Sequence, residues 1–187
     1  MSHQGAPASE LFLITTGRAR YFSTGPDGQK MLLAWMTPGE IIGGAALLSA
    51  PAAYRVSAEA VGDTSVLVWS REVIRALIER YPRISENAFT FAFDYLDWYV
   101  AAHTALICHT ARQRLAGVLL SLAPRLGRAV PGGIEFDATN EELASAANIT
   151  PFTTSRLLNE WQRQGAVEKR RGKIVLLAPD RLVALTT

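Results

Sequence analysis

Cysteine is almost absent from this chain: Cys108 is the only one in 187 residues. One thiol cannot build an internal disulfide framework, nor supply the several thiolates that a cysteine-only zinc site or an iron–sulfur cluster requires. An iron–sulfur cofactor is therefore excluded by count, and a reducing, cytoplasmic setting is expected. Histidine is scarce as well, with three residues at positions 3, 103 and 109. Residues 11–80 hold neither His nor Cys, and no carboxylate cluster stands in for them. A metalloenzyme of the cupin type is thereby disfavoured, no metal site is expected, and no residue is assigned a catalytic role. Residues 1–10 lack a basic stretch followed by an apolar one, so they read as a loose lead-in, outside the fold, rather than a secretory signal. An uncharged apolar span is also missing. Residues 88–108 are about as long as a bilayer is thick, but they include Asp94, Asp97 and His103. Each Asp costs roughly 2.5–3.5 kcal/mol at a bilayer centre, so the segment reads as a soluble helix and no membrane partner is expected.

Hydrophobic residues make up 49% of the chain, enough to bury the core of one large domain or two small ones. The formal charge of +2 hides an asymmetry: residues 1–110 carry 8 Lys/Arg and 10 Asp/Glu, whereas 111–187 carry 11 and 7. A basic second half favours an acidic partner such as a phosphate backbone, although a solvated surface has the same charge.

Short apolar runs at 11–14, 19–22, 31–35, 54–57 and 66–69, separated by turn residues, predict antiparallel strands. Gly25, Pro26, Asp27 and Gly28 form a turn that makes 19–24 and 29–35 a hairpin. Pro38 with Gly39, Gly43 with Gly44, and Gly62 with Asp63 mark further breaks. This spacing suggests a small roll. The period then changes. Ser70 can cap a helix over 71–80, which ends before Pro82. Residues 83–109 follow without Gly or Pro and with two apolar faces: Phe89, Phe93, Leu96, Val100 and Ile107 on one, Phe91, Tyr95, Trp98 and Ala102 on the other. One face can pack on the roll and the second needs a partner helix, so a homodimer through 83–109 is expected. The alternative is a helix buried in its own domain.

Thr110 and Gln113 have the form of a capping box, which opens a helix over 111–122 and makes the His109–Thr110 junction the expected boundary and hinge. Pro124, Gly127, Pro131, Gly132 and Gly133 read as loop, and 134–137 as a short strand. Thr139 and Glu142 form a second capping box, opening a helix with Leu143, Ala146 and Ala147 at helical spacing. After a tight turn, Thr150 as N-cap and Pro151 at the first position begin another helix, over 151–164, stopped by Gly165. Two helices joined this closely form a helix-turn-helix, whose second helix enters the major groove of DNA. Strands at 166–169 and 173–177, joined through Arg170, Arg171 and Gly172, complete a basic-tipped wing. Arg156 is the candidate base reader, because a guanidinium fork matches guanine O6 and N7. Its competing reading is an exposed charge paired with Glu160. Thr150, Phe152, Thr153, Thr154 and Ser155 join it as candidate DNA contacts, and Arg170, Arg171 and Lys173 suit phosphates, with a solvated turn as the alternative.

The order of roll, long helix, hinge and winged helix-turn-helix resembles the Crp/Fnr superfamily of bacterial transcription regulators, over nearly all of the chain after Glu10. Residues 141–144 (EELA) and 149–158 (ITPFTTSRLL) carry the resemblance, with Gly17 to Arg20, Pro38-Gly39-Glu40 and Ile42-Gly43 in the roll. It implies an α+β protein with an N-terminal antiparallel β-roll of the jelly-roll type over 11–82, a dimerisation helix over 83–109 and a DNA-binding domain over 110–187. It further implies a palindromic double-stranded site, an effector-responsive dimer and contact with RNA polymerase. Family rolls carry additional strands before the position of Leu11, so a shortened roll is expected. The fumarate–nitrate branch has a Glu where this chain has Phe152. Phe cannot accept a hydrogen bond from cytosine N4 but can touch a thymine methyl, so a different half-site is expected. Cyclic-nucleotide binders use a Gly-Glu pair and an Arg-Ser/Thr pair, where this chain reads Gly43-Gly44 and Arg55-Val56. Tyr99 and Val100 replace the small hydroxyl residues of the long helix. Cyclic AMP is accordingly not expected, and Gly43, Gly44, Arg55 and Tyr99 remain candidates for an unidentified small-molecule effector. Arg55 can hold an anion or simply face solvent. Haem would need an axial ligand, and His103, Cys108 and His109 lie on the dimer helix or at its end, so no cofactor is expected. The rival functional reading is a sensor whose helix-turn-helix is a protein-interaction module.

Overall fold

The computed structural model describes residues 1–28 and 30–185. Gln29, where the sequence begins its second hairpin strand, and Thr186 and Thr187, at the end of the expected DNA-binding domain, lie outside the described residues. The chain divides into two compact units, Met1–Val100 and Ala101–Thr187.

In the first unit β1 (Glu10–Thr24), β2 (Lys30–Met36), β3 (Ile41–Ile42) and β4 (Ser57–Ser70) form one antiparallel sheet. β1 is its spine. β4 pairs along one edge, from Glu10 opposite Ser70 to Phe22 opposite Ser57, while β2 and β3 share the other. The runs at 11–14 and 19–22 are thus one strand, and β4 passes through the break expected at Gly62 and Asp63. Register shifts between Ile14, Thr16 and Arg18 explain both. At Gly17 φ is +76°, and a Cβ there would lie 2.3 Å from the Asp63 carbonyl oxygen, so the two strands bulge together and keep their ladder. The run at 54–57 is only the approach to β4. Tyr54 lies outside it, its hydroxyl accepting from the Glu10 N–H at 3.0 Å and donating to the Glu10 carbonyl at 2.9 Å.

Residues 1–10 are not loose. Ser2 pairs with Ala58 and Pro7 with Ala53, the Gln4 side chain accepts from the Thr24 N–H at 2.9 Å, and Ser2 and Ala8 are buried. Such pairing uses backbone groups and needs no apolar period, so composition could not reveal it. The sheet buries both faces: Phe12, Ile14, Ala19, Met36, Ile42 and Ala58 cluster on one, and Leu11 packs with Ala46 and Ile74 on the other. Ile74 belongs to α1 (Arg71–Arg80), where Ser70 caps the Val73 N–H as expected.

α2 (Arg83–Cys108) has 26 residues, none of them buried. Of its two apolar faces, the one carrying Tyr95 meets the sheet, where Tyr95 stands edge-on to Tyr21 with ring centroids 6.1 Å apart. The other face is open: Phe89, Phe93, Leu96, Val100 and Ile107 range from 51% to 72% exposed. Among the described residues no helix is long and apolar enough to cross a membrane.

The second unit contains α3 (Ala111–Leu126), β5 (Arg128–Val130), β6 (Gly133–Asp137), α4 (Asn140–Ala147), α5 (Pro151–Arg163), β7 (Val167–Arg170), β8 (Lys173–Leu176) and α6 (Pro179–Ala184). α3 continues past Leu122 and through Pro124, which the sequence assigned to a loop. Pro124 lies so near the helix end that it forfeits a single backbone bond, and the burial of Leu115, Leu119, Leu122 and Ala123 outweighs that loss. β5 and α6 are the elements not anticipated, being three and six residues long and too short to show a period. β5 exists by pairing with β6 and α6 by burying Leu182, both long-range effects. The sheet order is β5-β6-β8-β7. Its inner residues Phe136, Val167, Ile174 and Leu176 share the core with Leu143, Leu157, Leu158 and Trp161 of the helices.

Candidate nucleic-acid interface

The turn between α4 and α5 is built by local chemistry. Thr139 and Glu142 form the expected capping box, and Asn148 closes α4 in the left-handed region at φ 50°, with Ile149 donating back to the Ala144 carbonyl at 2.9 Å. Thr150 then caps α5 by accepting from the Thr153 N–H at 3.1 Å, with Pro151 in the first turn. Arg114 of α3 clamps the turn from outside. Its guanidinium donates to the carbonyls of Ala147, Asn148 and His109 at 2.9, 3.2 and 2.8 Å. The charge sits at the C-terminus of α4, where the helix dipole favours a cation. Nothing local in the sequence marks this role, since the partners lie 33 and 34 positions away.

The expected DNA contacts separate by orientation. Leu157, Leu158 and Trp161 face inward, as anticipated, and Thr154 joins them. Thr154 is fully buried, its hydroxyl donating to the Thr150 carbonyl at 3.2 Å, so it is removed from the candidate contacts. The helical period places position 154 one turn before Leu158, on the packed side. Phe152 is 80% exposed, a large apolar ring held out at the helix N-terminus. Thr150 and Arg156 are exposed and Thr153 and Ser155 half-buried, so these five share the outer face of the first turns. Glu160, the counter-ion that Arg156 had as its competing partner, is engaged elsewhere: Arg112 of α3 donates to both of its oxygens at 2.7 Å. That contact holds the Glu160 carboxyl below the usual carboxylate range, and Arg156 adds only a longer-range Coulombic pull.

The wing differs from its sequence reading in one respect. Arg170 is not in the turn but pairs with Lys173 in the ladder, leaving Arg171 and Gly172, with φ +69°, as a two-residue connection. Arg170 donates to Glu168 through Nε at 2.9 Å and to Glu135 through Nη1 at 2.8 Å. Lys173 reaches Glu135 at 3.3 Å, and Arg128 hydrogen-bonds the same carboxylate. Glu135, in a strand to which the sequence assigned no role, is therefore a buried carboxylate ringed by three cations. Its pKa is pushed down to about 2, first by the Arg128 hydrogen bond and then by those of Arg170 and Lys173, against the opposing effect of burial. Arg171 stays exposed at the tip.

The effector candidates all lie in the first unit. Gly43 is buried at φ +85°, and a Cβ there would lie 2.5 Å from the Glu10 carbonyl oxygen and 3.1 Å from the Tyr54 ring. That close approach accounts for the glycine by packing, and it sets the Gly43 and Tyr54 segments side by side. Gly44 and Arg55 are exposed, and Tyr99 stands half-exposed on α2. The aromatic contact between α2 and the sheet belongs to Tyr21 and Tyr95. Burial, and secondarily Tyr95, pushes the Tyr21 phenol up to about 12.

Residues 113–185 match the family model described as the Crp-like helix-turn-helix domain, and residues 2–81 match the cyclic nucleotide-binding domain. The chain is 33% identical over 172 residues to the cyclic AMP receptor protein of Thermus thermophilus, spanning 92% of this chain and 77% of that one. It is 26% identical over 183 residues to the CRP-like cAMP-activated global transcriptional regulator of Mycobacterium tuberculosis, spanning 97% and 81%. Among solved structures, FixK2 from Bradyrhizobium japonicum superposes with a TM-score of 0.85 at 26% identity, covering 100% of this chain and 92% of its own.

Proposed function

The chain belongs to the Crp/Fnr family of DNA-binding transcription regulators, and from that membership we propose that it acts as a homodimer, reading a palindrome with two copies of α5. The observation that carries the base-reading part is at Arg156. Its guanidinium is exposed while Glu160, four residues on, is held by Arg112, which leaves the fork available for guanine O6 and N7. Phe152, on the same outer face, offers a thymine methyl an apolar partner rather than the acceptor that cytosine N4 needs. The dimer rests on α2, whose open residues Phe89, Phe93, Leu96, Val100 and Ile107 follow spacings of four, three, four and seven. This is the 3.5-residue repeat of a two-helix seam, and leaving it in water forgoes the burial free energy of every member.

The M. tuberculosis relative is described as cAMP-activated, but the effector proposed for this chain is a different small molecule. Gly44 has no carboxylate for a ribose and Val56 no hydroxyl for a phosphate. The protein is proposed to work in the cytoplasm and to meet RNA polymerase at its promoters. Selection of bound duplexes from a random pool, with and without cyclic AMP, tests the reading. The expected result is a palindrome with half-sites roughly 34–36 Å apart, unchanged by cyclic AMP, and losing one specified base pair in Arg156→Ala. Weak retention without an enriched palindrome overturns the DNA-reading proposal, and a cyclic AMP-dependent palindrome overturns the effector proposal.

A further inference from the structure

The wing is basic by sequence, yet in the structure most of its strand cations are held by carboxylates. Seven charged side chains lie across the four strands of its sheet: Arg128 on β5, Glu135 and Asp137 on β6, Lys173 on β8, and Glu168, Lys169 and Arg170 on β7. Four are positive and three negative, and three of the cations, Arg128, Arg170 and Lys173, lie against carboxylates, whereas Lys169 donates to the neutral Asn159 at 2.9 Å. The pairing is strongest at Arg170. Nε and Nη2 donate to the two oxygens of Glu168 at 2.9 and 3.2 Å, and Nη1 donates to Glu135 at 2.8 Å, so every nitrogen of the guanidinium faces a carboxylate. The carboxylates differ in setting. Glu135 is 5% exposed and braced by three cations, whereas Glu168 is 43% exposed and beside the DNA-facing tip at Arg171.

We infer that Glu168, backed by Glu135, is a counter-charge that restrains Arg170 from phosphate and so limits the sequence-independent attraction of the protein for DNA. This rests on the reading above that the β7–β8 hairpin faces the DNA backbone. A carboxylate already in the fork supplies the geometry that a phosphate oxygen would supply, so phosphate must displace it or approach against its charge. Sequence-independent affinity comes from cations that displace counterions from phosphates, and a cation neutralised in advance displaces few. With Arg170 and Lys173 committed, the β7–β8 hairpin leaves Arg171 at the tip and Lys169, which donates to the neutral Asn159, as its cations for phosphate, and selectivity falls to the outer face of α5.

Glu168→Gln tests this, since the site is partly exposed and the amide keeps the size of the side chain. Affinity for a random-sequence duplex is measured against salt for the wild type, for Glu168→Gln and for Glu168→Gln with Arg170→Gln, with circular dichroism to compare folds. Freeing one cation per wing should steepen the salt dependence by about 0.9 per protomer, or about 12-fold more affinity gained by a dimer between about 200 and about 50 mM salt. The double variant should lose that gain. An unchanged slope in Glu168→Gln overturns the inference, as does a steeper slope that survives in the double variant, because the gain would not pass through Arg170. If the wild type shows no salt-dependent duplex binding, the reading of the hairpin as a DNA-facing wing fails instead. Glu135→Gln frees a second donor of the same guanidinium and should also steepen the slope.

Discussion

Leu96→Ala separates a helix seam from a helix packed on its own chain. Leu96 is 51% exposed at the middle of the open face of α2, so about half of its side chain gains burial only if a partner covers it. Fully burying a leucine is worth about 1.5–3 kcal/mol, and half of that, counted once in each protomer, is about 1.5–3 kcal/mol per dimer. Since about 1.4 kcal/mol is tenfold in an equilibrium constant, the dimer Kd should rise about ten- to hundredfold. Alanine is the better helix former, so α2 itself is not weakened. Sedimentation equilibrium across a concentration series reads the Kd, and circular dichroism at a dilution where both proteins are monomeric reads the fold. An unchanged Kd combined with a less stable monomer would refute the reasoning, because it would mean that Leu96 packs within its own chain.

Two further substitutions test the division of α5 into inner and outer faces. Thr154→Val should lower stability by about 1 kcal/mol in urea titration, by losing the hydrogen bond to the Thr150 carbonyl, without changing the selected half-site. Arg156→Ala should do the reverse, keeping the urea midpoint while relaxing one base pair by about 1–3 kcal/mol. A changed half-site in Thr154→Val would return Thr154 to the DNA. Acid should weaken the wing through Glu135. Its carboxyl is held at about 2 in the folded protein, first by Arg128, against an ordinary value of about 4.3 when unfolded. Its stabilising contribution is therefore complete above the ordinary value and fades as pH falls toward 2. The difference in urea midpoint between wild type and Glu135→Gln should shrink from pH 6 to pH 2.5, and a difference independent of pH would show that the carboxylate's charge is not what matters.

The starts of α1, α3, α4 and α5 were legible in the residues. Ser70, Thr110, Thr139 and Thr150 each cap an N–H three positions on, and Gly165 and Gly172 adopt the positive φ expected just after a helix and in a tight hairpin. The apolar stripes of α2 and the inner leucines of α5 were equally readable, because a helix repeats its faces within a dozen residues. β1 and β4 read in the sequence as four shorter strands, since Gly62 and Asp63 have the chemistry of a break and only the pairing shows the two strands bulging together near Gly17.

Sequence alone therefore determined the principal helices, the helix-turn-helix and the candidate base reader, all of which depend on relations a few positions apart. Only the tertiary structure decided which charges are free. Arg112 meets Glu160 across 48 positions and Arg170 meets Glu135 across 35, through packing and strand register that no short window contains. Those two encounters run in opposite directions: the first occupies the carboxylate four residues after Arg156, and the second holds Arg170 against a buried carboxylate.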